Sequence, residues 1–234
     1  MTDLRGEDMA RFWDERARED PFFFVDNRLE YGHPDLDRFW AGGERDLEMM
    51  LTAIDVSLRS DDDVVELGCG IGRLTRPIAA RCRSVRALDV SPRMIELARS
   101  YNPELADVEW LVGDGTSLAG IGDASADACI SHVVLQHIPE PAISLGYIRE
   151  MGRVLRPGGW AAFQFSTVPK IHEPAGLVQR FRERREPAAS LDPRWRGSAL
   201  SVEAVREAAR DGGMDVERTA GEGTQHCVAL TRKS

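Results

Sequence analysis

Three acidic residues and one run of glycines set the chemistry this sequence can carry. Glu66-Leu67-Gly68-Cys69-Gly70-Ile71-Gly72-Arg73 follows the apolar pair Val64-Val65 and reads as a strand passing through a glycine-rich turn into a helix. Glycine is needed where a backbone turns tightly and approaches a ligand closely, because a Cβ would obstruct both. A dinucleotide fingerprint requires G-x-G-x-x-G, whereas this turn reads G-x-G-x-G and has Arg73 where the third fingerprint glycine would fall. The GK[ST] ending of a phosphate-binding P-loop is absent as well. Asp89 lies about 20 residues beyond the turn, where nucleoside-binding βαβ units hold an acid that accepts hydrogen bonds from ribose hydroxyls. Asp114 ends a third apolar segment, and His132 leaves a fourth. Imidazole titrates near neutrality, so His132 is a candidate general base.

Glu66 and its turn resemble the first motif, E/D-x-G-x-G-x-G, of the class I S-adenosylmethionine (SAM) dependent methyltransferases. Later segments continue the resemblance in the same order. Asp89-Val90-Ser91-Pro92-Arg93-Met94-Ile95 resembles the stretch whose acid holds the ribose while the following apolar residues pack on adenine. Val112-Gly113-Asp114-Gly115-Thr116 resembles the motif whose Asp receives the adenine amine, and residues 127 to 135 resemble the one that sets Ser131, His132 and Val133 beside the methionine end. Leu155-Arg156-Pro157-Gly158-Gly159 resembles the turn before strand five. The matches run from about residue 63 to 166.

The resemblance implies SAM as cofactor and S-adenosylhomocysteine as product. It places Glu66, Gly68, Cys69, Gly70, Arg73, Asp89, Val90, Met94, Asp114, Gly115, Thr116, Ser131 and His132 around them. In that family's logic Glu66 organises the loop amides and the methionine amino group, while Asp89 and Asp114 read the two nucleoside ends. Each acid also has a plainer use: Glu66 capping the next helix, Asp89 capping the helix at Ser91, Asp114 making a turn with Gly115.

The elements that must position these residues alternate. Residues 64–67, 84–90, 108–112, 127–131 and 160–165 read as strands, separated by helices, which indicates a parallel sheet covered on both faces. Ser91-Pro92 is an N-cap with proline at the first helical position, and it opens a helix to Ser100. Ile143, Tyr147, Ile148 and Met151 share one side of a later helix that Pro157-Gly158-Gly159 ends. A helix from Ser201 to Arg210 precedes strands at 214–219 and 226–231, a closing antiparallel pair. Upstream, residues 7–18 form a short helix, an aromatic loop runs through Phe22, Phe23, Phe24, Tyr31 and Pro34, and a helix with Leu47, Met50, Leu51, Ile54 and Leu58 on one face runs to the Ser60–Asp63 acidic stop.

The expected fold is therefore α/β: a Rossmann-like, seven-stranded, mostly parallel sheet with an antiparallel last strand, helices on both faces and an N-terminal helical lid. Residues 1–60 are the lid, 61–166 the SAM-binding core, 167–198 an insertion or cap, and 199–234 the helix and strand pair that complete a single domain.

Composition narrows the partners. The 234 residues carry 30 Lys+Arg against 39 Asp+Glu, a net charge of -9, which argues against a nucleic-acid backbone as ligand. No apolar run approaches the ~20 residues of a membrane span, and the charged N-terminus is unlike a signal peptide. Four scattered cysteines without a CxxC pair fit a reduced, cytoplasmic setting. No His is followed by a second His or Cys at i+3 or i+4, so no metal is expected.

A small-molecule acceptor is the expectation, anionic or aromatic in character, held by the variable parts of the chain. Candidates are Trp13, Arg16, Tyr31, His137, Arg184, Arg185 and His226, with Arg16 reaching the cofactor carboxylate and the arginines around 180–196 acting as an anion clamp. The plainer alternatives are a lid core for the aromatics, a solvated helix face for the arginines, and structural roles for His137, His172 and His226. A SAM-binding regulatory or assembly subunit without transfer, and a protein or peptide methyltransferase, are the competing functions. Oligomeric state is not legible in the sequence.

Overall fold

Apolar residues at every second position give the strands two buried faces. In β1 (Asp63–Leu67), Val65 and Leu67 enter one core cluster while Val64 enters the other. In β4 (Ala126–Ser131), Cys129 faces the first cluster and Ala128 and Ile130 face the second. The computed structural model describes residues 6–173 and 192–234. Its sheet also contains β2 (Ser84–Asp89), β3 (Val108–Val112), β5 (Leu155–Phe165), β6 (Met214–Ala220) and β7 (Cys227–Lys233), in the order β3-β2-β1-β4-β5-β7-β6. Pairings from β3 through to β5 are parallel, and β7 lies antiparallel to both β5 and β6.

Helices cover both faces. α6 (Pro141–Val154) and the C-terminal helix Val202–Asp211 close one, through Ile148, Met151, Val205 and Ala209. α3 (Leu36–Ala53), α4 (Thr75–Ala79) and α5 (Pro92–Tyr101) close the other, through Leu47, Met50, Ile78 and Ile95. Ser91 caps α5 by accepting from Met94 N–H, with Pro92 at the first helical position, as the sequence predicts. The strand order reverses between β1 and β4, so the loops leaving their carboxyl ends diverge and open a crevice.

Above that crevice lie α1 (Gly6–Glu19) and α2 (Pro21–Val25). Residues 21–25, read from the sequence as part of a loop, form this short helix because Asp20 accepts from Phe23 N–H and Pro21 pre-sets the first turn. α3 starts eleven residues before Leu47, where Asp35 caps it, and it ends at Ala53, short of Leu58 and the acidic run. β5 begins at Leu155, so Pro157-Gly158-Gly159 lies within the strand, at a register break against β4, and does not itself stop α6. Most of the expected insertion, with Arg184 and Arg185, lies outside the described residues. Beyond it the chain returns to the end of β5 at Ala199-Leu200, where Leu200 N–H donates to the Ser166 carbonyl at 2.8 Å. No helix among the described residues is long and apolar enough to cross a membrane.

Candidate active site

The glycine turn leaves β1 with its backbone tied to β2: Gly68 and Cys69 N–H groups both donate to the Leu88 carbonyl, at 2.7 and 2.9 Å. Gly68 (φ 77°) and Gly70 (φ 53°) are left-handed, and a Cβ on Gly68 would sit 2.1 Å from the Val134 side chain. Glycine is required at both positions by conformation, and at Gly68 by space as well. Asp89, at the end of β2, spans the turn and the next helix: one oxygen accepts from Gly70 N–H and the other from Ser91 N–H, each at 2.9 Å. A carboxylate offers about four acceptor positions, so these bonds do not saturate it. Burial pushes the Asp89 carboxyl up to about 6 against those backbone donors.

Glu66 is 3% exposed and accepts from the Thr75 hydroxyl at 2.6 Å. Burial lifts it to about 7; the Thr75 bond and the Arg73 charge oppose the rise, and Asp89 adds to it. Both acids line a cavity of about 1080 Å³, counting its open mouth. Leu88, Val90, Met94, Gly113, Gly115 and Ser117 line it as well. Its roof is α1 and α2, through Met9, Trp13, Phe24 and Val25.

A comparison with known families matches residues 65–163 to the methyltransferase domain family. Residues 65–163 thus resemble a methyltransferase domain, on a fold shared with SAM-dependent methyltransferases of solved structure. Among its relatives, malonyl-[acyl-carrier protein] O-methyltransferase of Hahella chejuensis is 36% identical over 99 residues, 42% of this chain and 34% of that enzyme. Ubiquinone biosynthesis O-methyltransferase of Xanthomonas oryzae pv. oryzae is 33% identical over 97 residues, 41% of this chain and 39% of the enzyme. The matches thus span little more than a third of the curated relatives. Phosphoethanolamine N-methyltransferase 1 of Haemonchus contortus, solved with phosphoethanolamine and S-adenosylhomocysteine, superposes with a TM-score of 0.72 at 16% identity. That alignment covers 99% of this chain and 49% of the other, and it shows a shared fold.

Within the matched region, most of the cofactor residues expected from the sequence line the cavity, His132 among them, while Asp114, Thr116 and Ser131 do not. Asp114 is exposed, and its carboxylate accepts from the backbone N–H and hydroxyl groups of both Thr116 and Ser117, which is the turn-forming alternative. Thr116 is exposed beside it. Ser131 is fully buried and donates to the Leu67 carbonyl at 3.1 Å, joining β4 to β1.

Arg73 reaches the cavity wall from beneath, held by Asp46 of α3: Nη1 lies 2.6 Å from Asp46 Oδ2. Arg28 bridges the same Asp46 and Asp26, at 2.7 Å each, so two arginines and two aspartates neutralise one another. His132 follows β4 immediately before Val133, whose left-handed φ of 57° is a strained state for a β-branched residue. The His132 Nδ1 is buried and has no hydrogen-bond partner among the described residues. Burial, then the Arg73 charge, holds its imidazole down at about 4, so it is neutral at physiological pH with a lone pair to offer.

His137 also lines the cavity, 5.6 Å from the Trp13 ring and 5.2 Å from Trp195. Its Nδ1 lies 2.6 Å from the Trp195 carbonyl, which can only accept, so that nitrogen is assigned the proton. Trp13 lines the cavity, but Arg16, Tyr31 and His226 do not. Arg16 pairs with Glu19 and lies over the Phe12 and Phe24 rings, while Tyr31 is exposed and donates to Glu19. His226 is exposed, its Nδ1 against the Gln164 amide, and Gln164 in turn donates to Gln136. His172 meets the Arg196 carbonyl away from the cavity.

The sequence reading missed Tyr147, Met9 and Val25 as cavity residues. Tyr147 was visible only as part of the α6 apolar stripe, which says nothing of where a phenol tip ends.

Proposed function

We propose that this chain binds SAM in the roofed cavity and transfers its methyl group to a small-molecule acceptor. The observation that carries the reading is Asp89: a half-buried carboxylate at the end of β2 that builds the glycine turn and still has acceptor positions free toward the cavity. Glu66, Gly68 and Gly70 stand beside it at the point where the sheet order reverses. A nucleoside with a short amino-acid tail fits those donors and acceptors, and the methyl of its sulfonium is already activated.

The protein's share is then positioning, worth up to about 7–11 kcal/mol in well-oriented reactions. Asp89 holds the ribose, Glu66 and the loop amides orient the methionine end, and α1 with α2 keeps water out. His132 accepts the acceptor's proton where the nucleophile must lose one; its low basicity suits a nucleophile already acidified in the site.

Of the two acceptor characters, aromatic is favoured over anionic. Trp13, Phe24 and His137 wall the cavity, and among the described residues Arg73 is its sole cationic wall residue, already paired with Asp46. The Arg184 and Arg185 clamp lies outside the described residues. Four free cysteines support a reducing, cytoplasmic setting.

Calorimetry with SAM and S-adenosylhomocysteine, followed by transfer from labelled SAM into phenolic and into carboxylate acceptors, tests the proposal. Binding without transfer to any acceptor would favour the regulatory-subunit reading, and absence of binding at millimolar concentration overturns it.

A further inference from the structure

The third-strand loop leaves the adenine end without its expected acid. The Asp114 carboxylate is committed to four donors of its own loop and lies outside the cavity wall, while Gly113, Gly115 and Ser117 remain in that wall. α6 runs directly beside this loop: Glu150 accepts from Leu118 N–H, and a Cβ on Gly146 would come within 3.9 Å of the Thr116 carbonyl. Between those two residues α6 presents Tyr147, which is 4% exposed and reaches the cavity. No hydrogen bond engages its hydroxyl among the described residues, and its side chain lines the cavity.

We infer that the Tyr147 hydroxyl, in place of the Asp114 carboxylate, meets the 6-amino edge of the cofactor's adenine. The assignment rests on the SAM reading above. A phenol both donates and accepts, so it can take an amine hydrogen or offer its own to a ring nitrogen, which a carboxylate cannot. Burial, with Asp114 and Asp89 nearby, keeps this phenol protonated far above neutral pH. Tyr147 shares its apolar cluster with Met9 of α1 and with Leu88, both of which also line the cavity.

A double-mutant cycle between protein and ligand tests this. Calorimetry would compare S-adenosylhomocysteine with the analogue in which hydrogen replaces the 6-amino group, on wild type, Tyr147→Phe and Asp114→Asn. In wild type the analogue should bind about tenfold more weakly, the worth of one well-made hydrogen bond. In Tyr147→Phe that gap should shrink to within about threefold, with the melting temperature unchanged, whereas Asp114→Asn should keep it. A Tyr147→Phe variant that keeps the full gap overturns the assignment, as does an Asp114→Asn variant that erases it. Wild-type protein that binds no S-adenosylhomocysteine removes the cofactor reading itself, a result distinguishable from either.

Discussion

Replacing Asp14 with Ala should loosen the roof and speed exchange of whatever the cavity holds. Asp14 Oδ1 accepts from the Ser91 hydroxyl at 3.0 Å and from Arg93 N–H at 2.8 Å, at the N-terminus of α5. The helix dipole favours a carboxylate there. Two such bonds are worth about 1 kcal/mol each, and the partial exposure of Asp14 argues against adding more for its charge. About 2 kcal/mol is roughly thirtyfold in the balance between a closed and an open roof. Ser91 still accepts from Met94 N–H in the variant, so α5 stays capped and the loss falls on α1. Stopped-flow release of S-adenosylhomocysteine, followed by the fluorescence of Trp13 in the cavity wall, should accelerate about ten- to thirtyfold in Asp14→Ala. Asp14→Asn should lie between, because an oxygen remains without its charge. Arg18→Ala should behave as wild type, since Arg18 holds only the other oxygen. Unchanged release in Asp14→Ala, with a lowered melting temperature, would refute the latch and leave Asp14 a packing residue.

Glu66→Gln should stabilise the ligand-free protein at pH 8 while weakening S-adenosylhomocysteine. The folded carboxyl, at about 7, lies above its ordinary 4.5, so the folded state binds the extra proton and loses stability as pH rises through that interval. The variant's advantage in melting temperature, about 5 °C at pH 8, should vanish as pH falls toward 4.5, and a constant gap would contradict the burial argument. His132→Ala should lower kcat about a hundredfold with the S-adenosylhomocysteine Kd unchanged, if the acceptor's nucleophile gives up a proton; equal losses in both would make His132 a cofactor residue. Asp46→Ala leaves Arg73, 4% exposed, with only the more distant Asp26, and should cost about 3 kcal/mol in urea unfolding, with a loss under 1 kcal/mol counting against the buried pair. Trp13→Leu should raise the KM of an aromatic acceptor and leave that of an aliphatic one unchanged in steady-state assays.

The sheet was legible because alternation and glycine punctuation are local. β3 begins and ends where the apolar run VEWLV does, and Ser91-Pro92 announces α5 from two residues. α2 had a signal of the same kind, Asp20 followed by Pro21, masked by three phenylalanines that suggest no face. The site was legible along the backbone and illegible across it. Glu66, Gly68, Gly70 and Asp89 are placed by their strand ends, whereas Asp114 depends on whether Thr116 and Ser117 compete for its oxygens. The pairing of Asp46 with Arg73, 27 positions apart, has no local signature beyond an acid on the α3 face that carries Gly42, Gly43 and Met50.

Asp89 serves two masters, and this limits how the protein can change. The carboxylate proposed to hold the ribose also fastens Gly70 and Ser91, so a substitution there also undoes the turn and the start of α5. Among the described residues, no hydrogen bond ties Trp13, Phe24 or His137 to the turn. On the proposed reading, mutational drift is therefore channelled: the donor end is held fixed by its own architecture, while the acceptor end is free to wander toward new substrates.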